Sequence, residues 1–232
     1  MSRLDDNAVP KTIMMAVELK KQVAAGQFAA ALKTLTDQLD LINNSSGRVN
    51  IKNIMIDNTM SSVLLDLQER HSVASRSQAT SSSPNTISGI MNGIIKQKLK
   101  IVPKDVIWQE ASLQVFDALS NDFMKPAINE VDELLAYGVN VTVYNGQFDI
   151  LCSTLGAEAW VRRLKWDGLH KFLSLPRKTM HYCHPYSLTN AFVRSYKNLN
   201  FYWVLAAGHT VPVDQPCTAV HMISSIVQSP AN

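Results

Sequence analysis

The 232 residues predict an α/β fold preceded by a helical segment, and three observations carry that prediction. Residues 11–42 hold their apolar positions at helical spacing. A stretch rich in Ser and Thr follows at 72–88. From Asp105 onward, helical patterns alternate with short β-branched runs, as they do where strands are joined by helices. The expected organisation is therefore a helical segment at 1–71, a linker at 72–88 and a core at 89–232.

Each element follows from its own pattern. Residues 11–25 read as a helix with Ile13, Met14, Val17 and Val23 on one side and Gly26 as the stop. A second helix over 27–42 keeps Phe28, Ala31, Leu32, Leu35, Leu39 and Ile42 on one face, and 43–47 ends it. Joined by a glycine, the two make an αα-hairpin. A third, weaker helical pattern covers 59–70. Nine of the seventeen residues from Ser72 to Ser88 are Ser or Thr, and no acidic residue occurs between Arg70 and Lys104, which marks the seam. A short helix at 87–99 follows, and Pro103 closes its tail. In the core the patterns predict helices at 109–119 and 123–136, then a buried strand at 139–144 running into an Asn145-Gly146 turn. A helix over 152–165, strands at 192–196 and 201–205, and a closing helix at 213–227 complete the series.

Composition excludes several classes. With 46% hydrophobic and 18% charged residues, wholesale disorder is out. The net charge of +3 is spread along the chain, which argues against a nucleic-acid footprint. The longest apolar runs, at 13–17 and 202–207, are far shorter than the roughly 18 residues of a membrane span. Arg3, Asp5 and Asp6 are followed by no apolar signal region, which leaves two readings: synthesis in the cytosol, or an N-terminus lying upstream. Three cysteines (Cys152, Cys183, Cys217) require that at least one be free or bonded outside the chain.

Candidate chemistry is narrowed by what the sequence lacks. No Gly-x-Ser-x-Gly nucleophile elbow occurs, since only Gly89 and Gly93 stand four residues apart and Met91 lies between them. Glycine spacing also fails the dinucleotide and P-loop fingerprints. His181, Cys183 and His184 form the one local His/Cys cluster, without a further ligand at zinc spacing, so a surface loop is expected there and no metal. Two places remain. Asp149 stands just past the carboxyl end of the predicted strand at 139–144, and His209 just past that of 201–205, the edge where α/β sheets gather their ligands and catalytic groups. An acid and then a histidine in that order is the second half of a Ser…Asp…His series. On pattern alone, a strand-end Asp and a loop His are ordinary turn or capping residues more often than catalytic ones.

The wording around the pair is more specific. The run from Val143 to Cys152, followed by Leu155-Gly156-Ala157-Glu158-Ala159-Trp160 and Leu164-Lys165-Trp166, resembles the acid-bearing region of the serine carboxypeptidase family. The run from Gly208 to Pro216 resembles its histidine region, and with Phe201–Leu205 it is most similar to the retinoid-inducible and plant serine carboxypeptidase-like branch. The resemblance is dense over 90–229 and looser over 1–90.

It implies the C-terminal part of an α/β-hydrolase sheet, with an N-terminal helical insertion that caps the active site. Asp149 would be the triad acid and His209 the triad base. Cys152 would lie close to the active site. Thr210 would help shape the pocket for the departing C-terminal residue, where the family usually has Met, and Gln147 stands where it usually has an acid. The nucleophile, the oxyanion hole and the groups holding the substrate carboxylate belong to an N-terminal half not represented in these residues, so no serine is assigned as nucleophile. By the same resemblance the substrate is a peptide or protein C-terminus, no cofactor is needed, and the compartment is the secretory pathway, vacuole, lysosome or cell exterior. Asn43-Asn44-Ser45 and Asn44-Ser45-Ser46 are then candidate glycosylation sites.

Two functions of different class follow. One is a serine carboxypeptidase, inactive as this chain alone. The other is a non-catalytic module that pairs with a carboxypeptidase N-terminal half, because half of such a sheet leaves a strand edge and an apolar face uncovered.

Overall fold

Gly26, at φ 70°, ends the first helix where the pattern predicts a stop. The computed structural model describes residues 3–57, 86–109, 112–181 and 188–228, and they fall into two compact units. One comprises Met1–Arg48 and Thr59–Lys125, the other Val49–Asn58 and Pro126–Asn232. This division differs from the expected boundaries: the stretch from Val49 groups with the later residues, and 89–125 groups with the first helices. The helical pattern at 59–70, the linker up to residue 85, Cys183 and His184 lie outside the described residues.

In the first unit, α1 (Ala8–Ala24) and α2 (Phe28–Ser45) form the expected hairpin. Ala31, Leu32 and Leu39 of α2 are buried as predicted. In α1 it is Ala8 and Thr12 that are buried, and the Thr12 carbonyl accepts a bond from Gln38 Nε2 at 2.8 Å. Ile13, Met14 and Val17, expected inside, are exposed. Small residues have won the helix contact, and the larger apolar side faces outward. The helix expected at 87–99 is continuous as α3, through Ile87–Ile90, a π turn at Met91–Ile95, and Lys96–Leu99. Asn92 ties it to the following loop by bonding both backbone groups of Trp108. A short α4 (Leu113–Ala118) completes this unit.

The second unit opens with a hairpin absent from the sequence-based reading, β1 (Val49–Asn50) and β2 (Asn53–Asp57). Helix α5 (Ile128–Ala136) begins five residues later than the pattern suggests, because Pro126 disfavours helical backbone before it. Then come β3 (Val141–Gly146), α6 (Thr154–Val161), α7 (Leu169–Ser174), β4 (Lys178–Met180), β5 (Ala191–Tyr196), β6 (Leu199–Val204), α8 (Val211–Asp214) and α9 (Pro216–Gln228). Pro216 splits the expected closing helix in two.

The sheet order is β3-β6-β5-β4, with β3 and β6 parallel and the other pairs antiparallel. The period-2 alternation of β6 sends Leu199, Phe201 and Trp203 to one face, where they meet Leu135 of α5, Val161 of α6 and Phe172 of α7. Tyr202 and Val204 point to the other face and meet Val211, Ala219 and Met222. Helices therefore cover both faces of β6, the most deeply buried strand. Strand β3, expected to be buried, is half-buried and stands at the sheet edge. Phe172 is 1% exposed in the first cluster. Phe172→Ala is expected to cost about 3–5 kcal/mol in urea unfolding, the range for an aromatic truncated in a close-packed core.

Candidate active site

Parallel pairing decides where the two candidate residues meet. Gly146 and Val204, the last residues of β3 and β6, are register partners, so both chains leave the sheet at one edge and in one direction. Backbone bonds carry the pairing beyond the strands, from Gln147 N–H to the Val204 carbonyl and from Phe148 N–H to the Ala207 carbonyl. Gly146 permits this approach, since a Cβ there would lie 2.1 Å from the Gly208 carbonyl oxygen. The Gln147 side chain accepts a bond from Ala206 N–H at 3.2 Å, so a neutral amide does positional work where the resemblance led one to expect an acid.

The loops after β3 and β6 bring Asp149 and His209 together. His209 Nδ1 lies 2.8 Å from Asp149 Oδ2, across 60 residues of sequence. The other carboxylate oxygen accepts the Cys152 N–H at 3.0 Å. Asp149's side chain is 3% exposed and His209's is 38% exposed, so the acid is held inside and the imidazole faces outward. A carboxylate accepts only, so Nδ1 is the ring nitrogen that donates to Asp149, and Nε2 is the one directed away from the acid.

The hairpin turn between β1 and β2 locks both loops. The Ile51 carbonyl accepts from Ile150 and Leu151 N–H, Ile54 N–H donates to the Phe148 carbonyl, and the Lys52 carbonyl accepts from His209 N–H at 2.6 Å. Sequence reading overlooked this element. Its signal was present in Val49, Ile51, Ile54 and Ile56, a short β-branched run between Gly47 and the predicted helix at 59–70.

A model of the serine carboxypeptidase family matches residues 6–229. The chain belongs to the serine carboxypeptidase family. It is 42% identical to serine carboxypeptidase-like 51 of Arabidopsis thaliana, over 99% of this chain and 52% of that protein. It is 41% identical to the human retinoid-inducible serine carboxypeptidase, over 98% of this chain and 51% of that protein. A prohormone-processing carboxypeptidase from Saccharomyces cerevisiae shares the fold, with a TM-score of 0.66 at 19% identity, covering 97% of this chain and 48% of that one. The chain thus spans about half the length of the curated relatives it matches. The α/β-hydrolase assignment stands with the family and the fold.

The remaining family positions are distributed unequally. Cys152 is a free thiol whose sulfur lies within 4.8 Å of the Asp149 and His209 ligand atoms. Thr210 is exposed next to His209, and its carbonyl accepts from Val213 and Asp214 N–H at the start of α8. Cys217 is disulfide-bonded. Of the two glycosylation motifs, Asn43 is 1% exposed within α2, which removes it as an acceptor in the folded chain, whereas Asn44 is exposed.

Although Cys152 is exposed as a residue, partial burial of its thiol, and then the Asp149 carboxylate beside it, push its pKa up. Both causes oppose the thiolate. At pH 8 Cys152 is accordingly expected to react with iodoacetamide more slowly than an unperturbed thiol, with the rate rising at higher pH. Asp149→Asn should recover part of the difference, because it removes the second cause and leaves the first. Mass-spectrometric alkylation rates across pH check this, and a rate equal to that of a free thiol at pH 8 contradicts it.

Proposed function

We propose that this chain supplies the acid and base half of a serine carboxypeptidase active site, acting on peptide or protein C-termini. The observation that supports this best is the bond between buried Asp149 and outward-facing His209. A serine hydroxyl is a poor nucleophile until an imidazole removes its proton. In this reading His209 Nε2 takes that proton as general base, and Asp149 fixes the tautomer and stabilises the imidazolium. The imidazolium then protonates the departing amino group, and the resulting acyl-enzyme is hydrolysed with His209 as base again. The nucleophile, oxyanion hole and carboxylate-binding groups come from sequence outside these 232 residues, in the same polypeptide or in a partner half.

The test is reconstitution. The chain is expressed with and without the N-terminal half of one of its 40%-identical relatives, and release of the C-terminal residue from a blocked dipeptide is followed. Activity is expected only with both halves; activity of the chain alone, insensitive to His209→Ala, overturns the proposal. A disulfide at Cys217 and the exposed motif at Asn44 support passage through the secretory pathway to the vacuole, lysosome or exterior.

A second reading, a non-catalytic module that pairs with such a half, is favoured by two surfaces. Strand β3 has no neighbour on its outer edge among the described residues. On α9, Val220, Ile223 and Val227 form an exposed apolar stripe at helical spacing. Sedimentation separates the cases: a stable monomer argues for an independent module, and self-association of the isolated chain for a half that needs its complement.

A further inference from the structure

We infer that Asp214 and Asn53 are positioning residues for His209, forming a polar latch that fixes the histidine loop to the β1–β2 turn. The inference rests on reading His209 as the base and adds how its position is held. A single oxygen, Asp214 Oδ2, accepts the Gly208 N–H at 2.7 Å and the Asn53 Nδ2–H at 3.1 Å. Gly208 directly precedes His209, and Lys52 directly precedes Asn53. Two adjacent loop residues are thus tied to two adjacent hairpin residues, His209 directly through the Lys52 carbonyl and Gly208 through the Asp214 carboxylate.

Nothing can be inserted between them. A Cβ on Gly208 would lie 2.1 Å from the Lys52 carbonyl oxygen and 2.7 Å from Asn53 Cβ, so backbone rests on backbone. The same turn receives the acid loop through Ile51 and Ile54, and acid and base are therefore both referenced to residues 51–54. A 2.8 Å contact between groups 60 residues apart requires placement to within about 0.5 Å. Bonds from N–H groups to a carboxylate are charge-assisted and suit that task. Without Asp214, the Gly208 N–H directly before His209 loses its described side-chain partner, and the nearest remaining side-chain anchors are at Ala206.

The latch is tested by NMR on the 15N-labelled chain, alone or paired with a complementing half, with circular dichroism as the measure of folding. The His209 Nδ1–H resonance, assigned by its loss in His209→Gln and in Asp149→Asn, reports the acid–base contact. Asp214→Ala is expected to shift or abolish that resonance and to speed exchange of the Gly208 amide roughly tenfold or more. Asp214→Asn, which keeps an acceptor oxygen, should restore both, and Asn53→Ala should produce a smaller shift of the same sign. An unchanged resonance and amide in Asp214→Ala overturns the latch. So does loss of the fold in Asp214→Ala combined with an unaltered resonance in Asn53→Ala, since Asp214 would then be merely structural. If the catalytic reading fails instead, Asp149→Asn leaves reconstituted activity intact while the resonance still responds to Asp214 and Asn53.

Discussion

In the reconstituted enzyme, His209→Ala is expected to lower kcat by roughly 10⁴-fold or more, and Asp149→Asn by about 10⁴-fold, with KM nearly unchanged. The reason lies in what each group does. In the proposed mechanism His209 moves the proton, and it is the imidazole in bonding contact with Asp149. Asp149→Asn is almost isosteric, but its amide can present a donor to Nδ1 and so favour the wrong tautomer, with the proton on Nε2. The Cys152 N–H bond to the other oxygen is compatible with Asn, so the fold should survive and the loss should be chemical. In the proposed mechanism the pair acts at the reacting centre rather than on the side chain of the substrate, so ground-state binding is expected to be left alone. The double variant should be little worse than His209→Ala, since the two act as one unit. Steady-state kinetics on a blocked dipeptide, with thermal unfolding alongside, decides the matter. A His209→Ala enzyme retaining a tenth of its activity would sink the assignment.

The second large effect concerns stability. Gly146→Ala and Gly208→Ala are each expected to destabilise the chain by about 3 kcal/mol or more, at the upper end of overpacking costs. At Gly146 the new methyl would meet the Gly208 and Ala207 carbonyl oxygens at 2.1 and 2.5 Å; at Gly208 it would meet the Lys52 carbonyl at 2.1 Å. These neighbours are backbone atoms, the Ala207 and Lys52 carbonyls among them held in hydrogen bonds, and they cannot rotate away as a side-chain tip would. Relief requires the two loops or the hairpin to separate, which also pulls His209 from Asp149. Gly93→Ala is the control: its Cβ would meet nothing within 4 Å, and in a helical segment it should be neutral or stabilising by about 0.5–1 kcal/mol. Urea midpoints of the three variants test this. Equal midpoints for Gly93→Ala and Gly208→Ala would refute the steric account.

The sequence alone made much of this legible, and for an identifiable reason. The alternation of Leu199, Phe201 and Trp203 against Tyr202 and Val204, and the helical spacing of Ala31, Leu32 and Leu39, are local patterns set by the pitch of strand and helix. Asp149 and His209 were legible because each follows a strand-like run, and the residues around them carry the family resemblance.

Other features required the folded chain. The edge position of β3 depends on which strands pair, and the outward turn of Ile13, Met14 and Val17 on α1's packing against α2. The burial of Asn43 cannot be read from a three-residue motif. Lys52, Asn53 and Asp214 gave no chemical signal, because their role lies in contacts across about 160 residues.

By itself, then, the sequence determined most of the element types, the family and the two candidate residues for the chemistry, all of which are written in short runs of side chains. Tertiary structure alone decided that the acid and the base touch. The parallel register of Gly146 with Val204 aims both loops the same way, and the turn at 51–54 closes on them. Such distances between remote residues depend on non-local pairing, in which a slip of one residue would send every side chain to the opposite face.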